Sequence, residues 1–123
     1  MSEATIVIDE AEAGKRFRGA ANGTMHSHDS YLKWLSEGVS VLDKNLDTKM
    51  DIAKEKATVR IQMPESWIIH SAPGMKYTLC ELIHNGMLAE WNNDRDVEAA
   101  KRYRQSAEFN KAQLQAAINS LDT

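Results

Sequence analysis

The stretch CELIH, residues 80 to 84, places a thiol, a carboxylate and an imidazole within little more than one helical turn. Glu81 and His84 are three apart and so share a helical face. A Glu-x-x-His pair binds iron or manganese when a second such pair and further carboxylates converge on it. No second pair occurs in this chain. Cys80 and His84 are one turn apart, which would let the imidazole serve as base to a thiol nucleophile. Only Lys76 is near enough in sequence to favour the thiolate, and no third residue is identifiable to orient the histidine. Cys80 therefore reads as a small core or interface thiol. His26, His28 and Asp29 form another candidate ligand group, but HSHD follows a glycine-containing loop where solvated histidines are ordinary.

The elements that must position these residues follow from periodicity. Thr78 followed by Glu81 is a capping box, which starts a helix at about residue 78 and accounts for Glu81 without a metal. Leu79, Leu82, Ile83, Gly86, Met87 and Trp91 then lie on one stripe, and the run Asn92 to Asp94 ends the helix near residue 91. Asp96 is placed to cap a last helix, whose Ala100, Tyr103, Ala107, Leu114, Ala117 and Leu121 recur at near-heptad spacing, interrupted by Asn110. So short a turn makes the two helices an antiparallel hairpin. The charged run with Lys101, Arg102 and Arg104 is interleaved with Asp94, Asp96, Glu98 and Glu108, and reads as a mixed-sign exposed or intersubunit face. His84 is left without an explanation.

Upstream, Tyr31, Leu35, Gly38, Leu42 and Leu46 repeat at three-and-four spacing, with Trp34 and Val39 widening the stripe, behind Asp29 or Ser30 as cap. This predicts an amphipathic helix over about 30–46. KMDIAKEK offers little apolar surface and reads as a solvated connection. Val59, Ile61 and Met63 alternate with Arg60 and Gln62 until Pro64 stops the run, which predicts a strand with one buried face. Trp67, Ile68 and Ile69 suggest a second short strand or extended arm before Pro73-Gly74.

The first 28 residues read as a short extended TIVI followed by an N-terminal arm or loop, with a basic cluster of Lys15, Arg16 and Arg18 around Phe17, two glycines and an Asn-Gly pair. Either a partner orders this arm or it is a plain terminus. The remainder, 29–123, reads as a single helical domain. The expected class is mainly α with a small β component: a helical hairpin, one further amphipathic helix and a short two-stranded or extended segment.

Composition restricts the function classes. Fifteen Lys and Arg against 18 Asp and Glu give a net charge of −3, so nothing global attracts nucleic acid or anionic lipid. One cysteine forms no internal disulfide, and MSEATIVIDE lacks the apolar run and basic flank of a signal peptide, which leads to the expectation of synthesis inside the cell. No apolar stretch approaches the ~20 residues that span a bilayer. There is no GxxxxGK[ST] loop, GxGxxG turn or paired CxxC, and no cofactor is expected. ELIHN is similar to the N-box of histidine-kinase-type ATPases, but the glycine-rich nucleotide boxes that accompany it are missing downstream.

Taken in order, SYLKWLSEGVSVLDKNL, VRIQMPESW and the long TLCELIHNGMLAEWNNDRDVEAAKRYRQSAEFNKAQLQAAI give a helix, an extended segment ending in proline, a helix with an acidic turn, and a last helix with small residues and a Tyr. This order resembles the head-to-tail connector or adaptor proteins of tailed bacteriophages, tail-tubular-type adaptors included, over roughly residues 30 to 121. The resemblance implies a virion structural protein without catalytic residues, made in the host bacterium. It implies a homo-oligomeric ring, commonly of about twelve copies, joining the portal to the tail, with genomic DNA passing through the lumen unbound. The glycine-rich basic N-terminal segment departs from the pattern. Assembly contacts expected on this basis are Arg16, Phe17, Arg18, Trp34, Trp67, Ile69, Arg102 and Arg104. The other class left open is a small helical metal- or thiol-dependent enzyme using Glu81, His84 and Cys80, with a helical binding module as a third.

Overall fold

Alternation in the first residues is strict enough to build a strand. Ala4, Ile6 and Ile8 are buried while Glu3, Thr5 and Val7 face outward, and β1 (Ser2–Asp9) is the outcome. The structure, a computed structural model, describes residues 2–9, 28–43, 48–53, 56–63, 65 and 72–119. Along these run β1, α1 (His28–Asp43), β2 (Thr48–Ala53), β3 (Lys56–Met63), α2 (Ala72–Asn92) and α3 (Val97–Asn119). The protein is mainly helical with a small β component, as the periodicity predicts.

The sheet holds three strands in the order β1-β3-β2, both pairings antiparallel. Ala4 pairs with Ile61 and Ile6 with Val59, so the buried faces of β1 and β3 coincide. The short extended TIVI is thus part of β1, and the start of the folded domain at residue 29 is corrected, because residues 2–9 close one edge of the core sheet. Residues 10 to 27, with Arg16, Phe17, Arg18 and His26, lie outside the described residues, as do Trp67 and Ile69. KMDIAKEK is also not a connection. It supplies β2 and the start of β3, joined so that Ala53 opposes Lys56. In the sequence Met50 and Ile52 alternate with Lys49 and Asp51, and this period-two pattern outweighs the high charge of the segment.

Helix α1 starts at His28, earlier than expected, with Asp29 in its first turn where a carboxylate complements the helix dipole. Its stripe of Tyr31, Trp34, Leu35, Gly38, Val39 and Leu42 is buried. Leu46 falls outside the described residues. Helix α2 begins at Ala72, six residues before the expected cap. Pro73 is suited to a first turn, since it has no N–H to leave unsatisfied, and it opens this helix rather than punctuating the chain. The capping box is thereby corrected: Thr78 lies inside the helix, and its hydroxyl donates to the Gly74 carbonyl at 3.0 Å.

Helix α2 is the centre of the molecule. It packs against α3, α1 and β1, with Met75, Leu79, Leu82, Ile83, Met87 and Leu88 all buried. Each such side chain removed from water contributes roughly 1.5–3 kcal/mol. A corner at residues 93–95 reverses the chain, closed by Asn93 N–H to Glu90 O at 3.2 Å and Arg95 N–H to Asn92 O at 3.0 Å. Asp96 then caps α3 as expected, its Oδ1 accepting from Ala99 N–H at 3.1 Å. No helix among the described residues is long and apolar enough to cross a membrane.

Candidate functional site

Polar chemistry concentrates where α1, α2 and α3 meet. Glu90 is the residue around which it is organised. It continues the apolar stripe of α2 one turn beyond Gly86, a position that turns a carboxylate toward α1. Ser30 Oγ donates to Glu90 Oε2 at 2.7 Å, Lys33 Nζ to Oε1 at 2.6 Å, and Trp34 Nε1 to Oε1 at 3.1 Å. Burial alone would raise the Glu90 pKa. Hydrogen bonds from Lys33 and Ser30, the Lys33 charge and the Trp34 N–H outweigh it and hold the carboxyl below its ordinary 4.5.

Trp34 is packed from several sides. Gly86 of α2 lies against the ring so closely that a β-carbon there would meet indole atoms. The ammonium groups of Lys33 and Lys111 stand 5.3 Å and 5.7 Å from its centroid, within cation–π range. Lys111 bridges α3 to Glu37 of α1 at 3.0 Å and to Glu108 at 3.4 Å. Burial would lower the Lys111 pKa, but the hydrogen bond and charge of Glu37, with Glu108 behind, carry it above its ordinary 10.5.

A cleft of about 400 Å³ opens beside this cluster, lined by Lys33, Trp34, Ala89, Glu90, Asn93 and Arg104. Arg104 donates to Asn93 Oδ1 at 3.3 Å across it. Of the expected assembly contacts, Arg104 therefore lines the cleft and Arg102 is exposed on α3. Trp34 is corrected. At 8% exposure it is a core residue with its own N–H acceptor, and its apolar surface needs no neighbouring subunit.

The sequence-predicted chemistry lies elsewhere on α2. Cys80, Glu81 and His84 are half-buried, and each takes part in a contact within the fold. Cys80 packs against the core, and His84 Nε2 is shielded from solvent. Loss of the capping box removes the role assigned to Glu81, which sits mid-helix. Among the described residues no three His, Cys, Asp or Glu side chains converge as a metal site. The His28 side chain lies outside the described residues.

Glu90 is not legible in the sequence as a partner of Ser30 and Lys33, because it lies 60 and 57 positions from them. One signal existed: a Glu in register with an apolar stripe, and a Trp whose N–H would need an acceptor if buried. At the other inter-helix contact Asn85 Nδ2 donates to Asn110 Oδ1 at 2.8 Å, and Asn110 Nδ2 to Gln113 at 2.9 Å. The residue that interrupts the apolar spacing of α3 is thus a polar clasp. Comparison with known proteins finds no matching family profile, no matching curated protein and no matching solved structure.

Proposed function

We propose that this chain is a non-enzymatic structural subunit, a head-to-tail connector or adaptor that assembles with copies of itself into a ring between the portal and tail of a tailed phage. The observation that carries the reading is the outward side of α3. Phe109 stands 63% exposed there, with exposed Ala112 and Ala116 following on the same side, opposite the buried Ala107, Asn110 and Leu114. A ring beside two small residues is a knob and a hole for a neighbouring helix. The order of elements after β1 supports the same reading: α1, the β2–β3 pair ending directly before Pro64, α2, an acidic corner and α3. A charge of −3 per chain suits a lumen through which phosphates pass without being held.

Light scattering and negative-stain imaging of the purified chain, with and without a portal ring, test this. Rings, alone or seated on the portal, are the expected result. A chain that stays monomeric and joins no ring sinks the proposal. Metal analysis tests the enzyme class separately: stoichiometric metal lost in His84→Ala would replace the structural reading.

A further inference from the structure

The cleft between the three helices holds donors that its own acceptors do not use up. Glu90 accepts from Ser30, Lys33 and Trp34, so the charges of Lys33 and Glu90 offset each other. Arg104 donates to the neutral Asn93 amide, and among the described residues no carboxylate pairs with it. A guanidinium has five N–H donors in a planar fork, and one amide oxygen leaves an edge that a carboxylate fits in bidentate fashion. Asn93 and Lys33 line the same cleft and add further N–H groups. With Lys33 and Glu90 cancelled, the lining carries one net positive charge, which matches a carboxylate better than a dianionic phosphate. Val97 lies two turns before Arg104 on the same side of α3 and is 70% exposed.

We infer that this cleft is the receptor for a carboxylate side chain of a second copy of the chain, seated against Arg104 beside the Trp34–Glu90 cluster. The self-assembly proposed above makes a second copy the source, and exposed carboxylates such as Asp94 in the corner and Glu98 in the first turn of α3 can supply the group. The inference rests on the self-assembly proposed above and names the contact that drives it.

Self-association of Arg104→Gln and Arg104→Glu, followed by light scattering over a concentration series, is the test, with circular dichroism to establish that helix content is kept. In parallel, the Trp34 Nε1–H and Arg104 Nε–H resonances are followed while glutarate, phosphate or sodium chloride is added at matched ionic strength. Arg104→Glu is expected to weaken association by about tenfold or more, and Arg104→Gln by less. Glutarate should shift both resonances saturably and compete with assembly, whereas phosphate and chloride should not. Wild-type assembly in Arg104→Glu overturns the receptor and leaves the ring reading standing. A wild-type chain monomeric at every concentration overturns both. Glutarate binding with assembly untouched overturns the second copy as occupant, and a phosphate response equal to that of glutarate overturns the carboxylate assignment.

Discussion

Trp34 of α1 lies directly against Gly86 of α2, with the indole in the space that any β-carbon at that position would need. Neither helix can yield easily, because Trp34 is also held by its N–H bond to Glu90. Gly86→Ala should therefore destabilise the fold by about 1–3 kcal/mol, despite the helix propensity that alanine adds. Gly74, in the first turn of the same helix, has open space around it. Gly74→Ala should be neutral or stabilising by up to about 1 kcal/mol. Urea unfolding of both variants checks the pair, and equal effects would disprove the packing account.

The Glu90 cluster makes stability depend on pH in a fixed direction. Its carboxyl is held below 4.5 in the fold, so the unfolded state binds the proton more readily. The contribution is fully present above that ordinary value and is lost as pH falls through the lower folded value. Glu90→Gln should cost on the order of 1 kcal/mol at pH 7, a figure kept small because the carboxylate is partly exposed and solvent screens its pairing with Lys33. The difference from wild type should shrink as the pH is taken below about 4. Urea midpoints measured for both proteins across that range decide it; a gap that widens in acid would contradict the cluster.

Asn85 and Asn110 form the polar clasp between α2 and α3, and the inner position of Asn110 makes it costly to break one-sidedly. Asn110→Ala leaves the Asn85 amide without its acceptor and should cost about 1–3 kcal/mol. Removing both partners should cost less than the sum of the single changes, with a coupling of roughly 0.5–3 kcal/mol. A double-mutant cycle by chemical denaturation measures that coupling. Additive costs would mean that the amides contribute independently.

Local pattern gave away the elements, whereas pairings between distant residues stayed hidden. The stripes of α1 and α2, the acidic corner and the Asp96 cap were readable because each depends on residues within about two turns. The start of α2 is not legible from Pro73 and Thr78, since a proline can open a helix as readily as it stops one, and the deciding factor is what the first turn packs on. β1 and β2 were underestimated because a lone strand has no signal of its own partner: Ile6 meets Val59 only once the chain has passed through α1 and β2. The Glu90 cluster was invisible for the same reason, as its donors lie on α1 and its acceptor on α2.

Two hydroxyl- or carboxylate-bearing residues that look alike as caps should behave in opposite ways. Asp96 accepts from the Ala99 N–H at the start of α3, satisfying a donor that no helical carbonyl can reach. Asp96→Ala should cost about 0.5–2 kcal/mol, and Asp96→Asn or Asp96→Ser should recover most of it. Thr78, by contrast, returns its hydroxyl to the Gly74 carbonyl inside α2, where that carbonyl already has a helical partner. Replacing it with the better helix former in Thr78→Ala should change stability by less than about 0.5 kcal/mol, or raise it slightly. Thermal and urea unfolding of the three Asp96 variants and Thr78→Ala compare them directly. A Thr78→Ala loss as large as that of Asp96→Ala would place the start of α2 at Thr78 and return Glu81 to the capping role the structure takes from it.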